Sequence, residues 1–314
     1  MKTLSIIICT YNRCESLKDT LRAVSLQTVP EDCTLETIVV DNNSKDQTRA
    51  VVESMKSLFR WPLIYVFEGQ QGLSAARNKG LAQASGSLIL FTDDDVMPEA
   101  NWVFETLRGF TELKVDALGG KILPVWEVPA PEWMQKGHQR EQIWGMYALL
   151  DEGNEPVVAH SAEGGLFYGA NMAFKREVFD QLGNFRTDLG VIGNKRRLDD
   201  DTEMLQRLYA AGKLIGYWPS SVVHHKVPKE RMTISYIRNW RYNKALSSVR
   251  TSGEIKPLSL WLLKECVLNG VCGLVKKICG KSTEEIHYKM QFWTQLGQIK
   301  GSLEKMVTRG KDSH

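Results

Sequence analysis

Two clusters of adjacent carboxylates are the side chains of this sequence best suited to chemistry. Asp93-Asp94-Asp95 follows the apolar segment 87–91 after the single residue Thr92, and Asp199-Asp200-Asp201 opens a segment with helical spacing. Adjacent carboxylates repel one another, so removing them from bulk water is costly unless a cation is present. A hard divalent cation, Mg²⁺ or Mn²⁺, removes that penalty, especially when substrate phosphates share its coordination sphere. The first cluster therefore indicates a metal and phosphate site; a solvated acidic turn that caps a helix near residue 98 or 99 is the alternative.

The second cluster and a histidine pair each have two interpretations. One of several crowded carboxylates can have a raised pKa and act as a general base, whereas carboxylates at a helix N-terminus can also serve only as caps. His224-His225 lies at the end of a short predicted strand. A neutral imidazole there is a plausible ligand for Mn²⁺ and a less usual one for Mg²⁺, although a histidine pair is more often structural.

Alternating strands and helices must position these clusters. Periodicity predicts buried strands at 4–9, 37–40, 63–67 and 87–91, and helices at 15–26, 46–58, 74–84 and 200–211. Asp41-Asn42-Asn43-Ser44 is expected to cap the second of these helices. The alternation predicts a parallel sheet with helices on both faces, in which ligands bind beyond the carboxyl ends of the strands. Between about 120 and 195 the pattern loosens, and the prolines of segment 124–131 indicate an extended loop.

Composition excludes several classes of protein. With 40 Lys+Arg, 37 Asp+Glu and 43% hydrophobic residues, the chain resembles a soluble globular protein, and a net charge of +3 is too weak for a nucleic-acid binder. Its six cysteines form no CxxC pair, and we see neither a signal peptide nor an apolar run of 18 residues. We therefore expect a cytoplasmic protein, or one that is peripheral at the inner face of the cell membrane, with no nucleic-acid partner.

The segment after residue 231 is predicted to be helical and basic. Residues 235–250 combine basic and aromatic side chains, and residues 258–278 are apolar but interrupted by charges such as Lys264 and Lys276. The region 235–278 is suited to the diphosphate of a lipid-linked acceptor or to an anionic membrane surface. A helical subdomain packed on the rest of the chain, or a dimer contact, is the alternative.

Seven motifs in a fixed order resemble the family 2 glycosyltransferases, inverting enzymes with the GT-A fold. The resemblance spans residues 3–231. It rests on the segments 5–13 (SIIICTYNR), 38–44 (IVVDNNS), 72–80 (GLSAARNKG), 91–95 (FTDDD), 168–177 (YGANMAFKRE), 200–204 (DDTEM) and 223–228 (VHHKVP). It implies an α/β fold with a mostly parallel central sheet flanked by helices. The catalytic domain would be 1–230, with a donor half to about 120 and an acceptor half from about 121, followed by a helical C-terminal region at 231–314.

The resemblance also implies a role for individual residues on the donor side. Thr10 and Tyr11 would line the base pocket, and Asp41 would accept a hydrogen bond from the ring N–H of a uracil or thymine, which favours a UDP-sugar. Asp93 would lie near the ribose and Arg77 beside the pyrophosphate or the base edge. The full donor set is Thr10, Tyr11, Arg13, Asp41, Arg77, Asp93 and Asp94.

On the metal and acceptor side, the resemblance implies that Asp95 and His225, rather than His224, lie at a Mn²⁺ or Mg²⁺ ion. Asp201 matches the family's catalytic base, and Asp200 stands where the family usually has Glu, so both remain candidates. The segment facing the sugar and the acceptor would comprise Gly169, Ala170 and Asn171.

The implied reaction is transfer of a sugar from a nucleotide-diphospho-sugar to a hydroxyl of a saccharide or lipid-linked acceptor, in cell-surface polysaccharide or glycolipid synthesis. A metal would neutralise the leaving diphosphate, and one base without a protein nucleophile implies direct displacement with inversion. Two alternatives are a nucleotidyltransferase, whose Gly-rich basic loop is missing from segment 10–16, and a sugar-nucleotide-binding or scaffold protein, for which damaged acidic clusters would be expected. The missing GxGxxG after the first strand argues against a nicotinamide enzyme.

Overall fold

The computed structural model describes residues 2–131, 134, 143–159, 166–192, 195–196, 200–251, 260–279 and 282–312. The chain divides into two compact units. The first comprises Met1–Val125, Ala148–Lys195 and Asp200–Lys226, and the second comprises Trp126–Tyr147, Arg196–Asp199 and Val227–His314.

Four parallel strands form one side of the sheet in the first unit. They are β1 (Lys2–Thr10), β2 (Cys33–Asp41), β3 (Leu63–Phe67) and β4 (Leu88–Asp93), in the spatial order β3-β2-β1-β4. Ile6, Ile7 and Ile8 are all fully buried. Consecutive apolar residues are needed in these strands because both faces of a parallel sheet are covered. The strands predicted from the sequence are confirmed here.

Helices follow these strands as predicted, with small differences in their ends. They are α1 (Cys14–Ser25), α2 (Thr48–Met55), α3 (Leu73–Gln83) and α4 (Trp102–Leu113). The expected cap at 41–44 is wrong: Asp46 accepts the backbone N–H of Thr48 at 3.1 Å and that of Cys14, the first residue of α1, at 2.9 Å. The fourth helix starts at Trp102 rather than near 98, because Val96–Pro98 forms a strand, β5.

The remaining strands make the sheet mixed rather than mostly parallel. They are β6 (Ala117–Trp126), β7 (Val157–Ala159), β8 (Met172–Lys175) and β11 (Ile215–Val227), while β9 (Val191–Ile192) and β10 (Lys195–Arg196) form a separate pair. β8 pairs antiparallel with both β4 and β6, and β11 pairs antiparallel with β5 and β7. Residues 124–126 therefore belong to a strand, and the expected loop does not begin at Pro124. Two short helices, α5 (Arg176–Leu182) and α6 (Asp200–Ala210), complete this unit.

The second unit contains three long helices, as the helical pattern after residue 231 predicts. They are α7 (Ile234–Thr251), α8 (Leu260–Ile278) and α9 (Ser282–Asp312). α9 packs against both of the others: Gly297 lies against the Tyr242 carbonyl of α7, and Gly270 of α8 faces the Phe292 ring. Over the part of the chain that the structure describes, no helix combines the length and apolar character needed to span a bilayer.

Candidate active site

The carboxyl ends of three strands bring the predicted donor residues together. Thr10 at the end of β1 is in register with Asp41 at the end of β2, and the neighbouring Cys9 is in register with Asp93 at the end of β4. Parallel strands end at the same edge of a sheet, where ligands bind in α/β proteins. Residues separated by up to 84 positions in the sequence thus share one edge of the sheet.

Arg13 forms ion pairs with two carboxylates of the first acidic cluster. Its Nη1 lies 3.0 Å from Asp94 Oδ1 and 3.0 Å from Asp95 Oδ2. The hydroxyl of Thr10 donates to Asp94 Oδ2 at 2.7 Å, so Asp94 points inward and joins the ends of β1 and β4. Burial raises the pKa of Asp94 to about 6, against the opposing effect of Arg13. Asp94 therefore holds the cluster in place, and the Asp93 side chain is its most exposed member, at 31% against 12% for Asp95.

His225 is the histidine that reaches this cluster. The antiparallel pairing of β11 with β5 places it opposite Val96, and its Nε2 lies 3.2 Å from Asp95 Oδ1. Successive side chains of a strand point to opposite faces, so His224 is directed elsewhere and lies 3.1 Å from Glu99 Oε1. His225, and not His224, therefore contacts Asp95, while metal binding by His225 stays a prediction.

The metal-binding side chains around Asp95 are suited to a metal ion that is also coordinated by a substrate. Asp95 supplies a carboxylate and His225 an imidazole, and no group of three or more metal-binding side chains occurs among the described residues. Mg²⁺ and Mn²⁺ are commonly held by one or two protein ligands together with substrate phosphates and water. The residues present fit such an ion, whereas they do not form an all-protein cage.

Asp200 of the second cluster forms a buried ion pair with Arg77. Arg77 Nη1 lies 2.5 Å from Asp200 Oδ2, and its Nη2 lies 3.9 Å from Asp93 Oδ1. The Arg77 side chain is only 3% exposed. Burial lowers the pKa of Arg77, but Asp200 and Asp93 more than offset this effect and the pKa is raised. Asp200 is therefore engaged with a permanent cation, which ties the two acidic clusters together.

Asp201 has a different environment from its neighbour. It accepts the backbone N–H of Thr202 at 2.8 Å and that of Gly169 at 3.3 Å, and its carboxylate is half-buried. Burial, followed by the nearby charge of Asp200, raises its pKa. A carboxylate that two amides orient, and whose proton affinity is increased, is suited to proton abstraction.

The segment 169–171 has two structural roles. The Asn171 amide donates to the carbonyls of Ser221 (2.9 Å) and Lys121 (3.2 Å), and its Oδ1 accepts the Trp102 indole N–H at 2.8 Å. The Ala170 carbonyl accepts the Thr92 hydroxyl at 2.9 Å. The Asn171 side chain is thus engaged within the protein, and the placement of this segment beside the sugar and the acceptor stays a prediction.

Gly169 is required by the close approach of the buried Arg77. A Cβ at Gly169 would lie 2.1 Å from Arg77 Nη2. We therefore expect Gly169→Ala to displace the guanidinium from Asp200 and to lower the free energy of unfolding by about 1–3 kcal/mol. Chemical denaturation measures this, with Gly69→Ala as the control, because the nearest neighbour of its Cβ would be at an ordinary 3.6 Å. Equal stability of the two variants would contradict this role of Gly169.

Sequence reasoning missed Tyr65 on the donor side. Its hydroxyl donates to Asp41 Oδ2 at 2.7 Å, while the Ser44 N–H donates to Asp41 Oδ1 at 2.8 Å. Burial and then Asp41 raise the pKa of Tyr65 to about 12. A carboxylate has about four acceptor positions, so Asp41 can still accept a further N–H. Tyr11 is 39% exposed, and its stacking on a base stays a prediction. The only signal for Tyr65 was its place on the strand adjacent to Asp41.

The mixed sheet, with helices on its faces and an acidic cluster at its carboxyl edge, is similar to solved structures with the GT-A fold, which confirms the predicted fold class. Among solved structures, the chain resembles the mannosyltransferase PcManGT from Pyrobaculum calidifontis, which was solved with GDP-Man and Mn²⁺. The TM-score is 0.62 at 20% identity, and the match covers 96% of this chain and 86% of that one.

Residues 5–183 match the sequence model of glycosyl transferase family 2. The chain therefore belongs to this family and is a glycosyltransferase. It is 27% identical over 254 residues to the succinoglycan biosynthesis protein ExoM of Rhizobium meliloti, covering 80% of this chain and 75% of that protein. It is 26% identical over 239 residues to the glucosyl-dolichyl phosphate glucuronosyltransferase of Haloferax volcanii, covering 74% of this chain and 72% of that protein.

Proposed function

We propose that this glycosyltransferase is metal-dependent and inverting, and that it transfers a sugar from a nucleotide-diphospho-sugar to a hydroxyl of a saccharide or lipid-linked acceptor. The observation that carries the proposal is the pairing of Asp95 with His225 at one acidic cluster, while the other cluster contributes the separately oriented Asp201. The catalytic domain would be the region 1–230.

The donor diphosphate would be bound at the first cluster. A bound Mn²⁺ or Mg²⁺ would supply charge neutralisation of the leaving diphosphate. Asp95 and His225 would hold that ion, and Arg13 would add positive charge from the loop after β1. Asp93, 3.9 Å from Arg77, would face the ribose.

Asp201 would be the base that takes the proton of the acceptor hydroxyl. Asp200 would be a positioning residue, because its carboxylate is already bound by Arg77 and lies 3.4 Å from the Ser74 hydroxyl. Attack by the deprotonated hydroxyl on the face opposite the diphosphate breaks the bond to the anomeric carbon in one displacement. Such a displacement inverts that carbon.

We further propose a UDP-sugar as donor and a cell-surface polysaccharide or glycolipid as product. Asp41 and Tyr11 at the strand ends support a uracil, which offers a ring N–H and a face for stacking. The names of the relatives support the product, since one acts in succinoglycan biosynthesis and another is a glucosyl-dolichyl phosphate glucuronosyltransferase. A lipid-linked acceptor would place the protein at the inner face of the cell membrane.

A donor screen tests the proposed function. The purified full chain is incubated with UDP-, GDP- and dTDP-sugars, with and without Mn²⁺, and released nucleoside diphosphate is measured together with binding. We expect metal-dependent hydrolysis of at least one UDP-sugar. Turnover of a GDP-sugar alone would overturn the choice of nucleotide, and the lack of both binding and turnover for every donor would overturn the proposed function.

A further inference from the structure

The outward face of α8 is the largest set of exposed aliphatic side chains on any described helix. These side chains are between 38% and 77% exposed. They are Leu263, Val267, Leu268, Val271, Leu274, Val275 and Ile278. Soluble proteins rarely expose contiguous apolar patches of this kind unless the patch is an interaction surface.

The opposite face of α8 packs against the other helices of the second unit. Leu262 and Cys266 are 8% and 6% exposed. Asn269 donates its amide to Gln295 Oε1 of α9 at 3.2 Å, and a Cβ at Gly270 would lie 3.3 Å from the Phe292 ring. α8 therefore already has a buried face, and its exposed aliphatic side chains are additional to the core of this unit.

Helical spacing shows that the exposed aliphatic side chains form one continuous face. At about 100° per residue, they all fall within an arc of about 140°, directed away from Leu262 and Cys266. Lys264 lies within that arc, Lys277 lies about 40° beyond one edge of it, and Glu265 lies about 60° beyond the other edge. We call the aliphatic side chains together with Lys264 and Lys277 the α8 face.

We propose that the α8 face lies in the plane of an anionic membrane surface, with its aliphatic side chains at the level of the acyl chains and its lysines among the headgroups. This inference rests on the proposed function, since a lipid-linked acceptor requires the enzyme to work at a bilayer. Helices that bind in the interface combine an apolar face with lysines, as Lys264 and Lys277 provide here, and the lysine charge attracts anionic lipids.

Lys264 distinguishes a membrane from a second copy of the chain as the occupant. In a dry interface between two copies, its ammonium would be buried within an apolar patch, which is costly without a partner carboxylate. At a bilayer surface, the aliphatic part of a lysine lies along the apolar region while the ammonium extends to the phosphates. The exposed lysine within the apolar arc therefore favours lipid.

Vesicle flotation of the full chain tests the proposal. We expect binding to vesicles of phosphatidylcholine with phosphatidylglycerol, and weaker binding to phosphatidylcholine alone or in high salt. Val271→Asn combined with Leu274→Asn, at positions that are 54% and 58% exposed, is expected to reduce binding roughly tenfold or more. Leu303→Asn on α9, 49% exposed and outside the α8 face, is the matched control and should bind as the unchanged chain does.

Two results would overturn the proposal. The first is that the unchanged chain does not bind the vesicles, or that the double variant binds them as strongly as the unchanged chain does. The second is a dimer in sedimentation equilibrium that the double variant converts to a monomer, without any effect on flotation. Donor hydrolysis without an acceptor is measured in parallel. If the unchanged chain hydrolyses a donor but does not float with the vesicles, the proposal for the α8 face fails and the proposed function stands. If the chain floats with the vesicles but neither binds nor hydrolyses any donor, the proposed function fails.

Discussion

Asp201→Asn is expected to reduce sugar transfer roughly 10²–10⁴-fold while donor affinity remains unchanged, because the variant keeps the shape of the side chain and loses the base. The Thr202 and Gly169 amides donate to different oxygens of Asp201, at 2.8 Å and 3.3 Å, so the asparagine oxygen can keep the shorter bond from Thr202 while the longer bond from Gly169 is lost. We expect the fold to be retained, because only one long hydrogen bond is removed. Initial rates with a donor identified by the screen, combined with calorimetric titration of that donor, measure both effects.

Two neighbouring substitutions serve as controls for Asp201. Glu203→Gln alters an acid in the same helical turn, where Glu203 pairs with Arg207 at 2.9 Å, and is expected to leave transfer unchanged. Asp200→Asn removes the partner of the buried Arg77, so it should lower the free energy of unfolding by about 3–5 kcal/mol and weaken donor binding. Unchanged transfer in Asp201→Asn would exclude Asp201 as the base.

The pH dependence of transfer gives an independent check of the base. A carboxylate accepts a proton only when it is ionised, so kcat/KM rises with pH through the pKa of Asp201. Because burial and Asp200 raise that pKa, the rise is expected at a pH above the ordinary aspartate value of about 3.9. In Asp201→Asn the residual kcat/KM should not show this rise with pH. The same rise in the variant would show that a group other than Asp201 causes it.

The second large effect that we expect is the loss of sugar transfer when the metal, or a residue that would bind it, is removed. Chelation with EDTA should abolish transfer, because without the metal the leaving diphosphate lacks charge neutralisation. Added Mn²⁺ should restore transfer. His225→Ala removes one of the two predicted protein ligands. It is expected to raise the Mn²⁺ concentration for half-maximal activity at least roughly 10-fold, because even the loss of a residue that only orients a metal ligand typically costs about 10–100-fold in metal affinity. Direct binding of Mn²⁺ in the presence of the nucleoside diphosphate measures the same change without catalysis.

His224 provides a matched control for His225. The two histidines are adjacent in β11, yet His224 lies beside Glu99 and only His225 reaches Asp95. His224→Ala should therefore leave the Mn²⁺ requirement unchanged. Activity that is insensitive to EDTA, or equal effects of the two histidine substitutions, would contradict metal binding by Asp95 and His225.

Local patterns were sufficient to predict much of the fold. Continuous apolar runs such as Ile6-Ile7-Ile8 indicated doubly covered parallel strands, and polar residues directly after each strand indicated the edge of the sheet where a site would lie. These features depend on neighbours in the sequence and on a repeating period. Of the antiparallel strands, only the part of β11 that ends at His224 and His225 was predicted. Short strands such as Val157–Ala159 and Met172–Lys175 were missed, because they carry too few residues for a recognisable period.

The sequence by itself determined the family motifs, the two acidic clusters and the helical, partly apolar C-terminal region. Only the tertiary structure separated chemically identical neighbours. Asp200 meets Arg77, whereas Asp201 meets backbone amides. Arg13 and Thr10 bind Asp94, and His225 reaches Asp95. The physical reason is that charge neutralisation depends on distances of a few ångströms between residues far apart in the sequence, such as Arg77 and Asp200, which are 123 positions apart. No local pattern contains those distances, and which face of α8 remains exposed is likewise decided by the packing of α9.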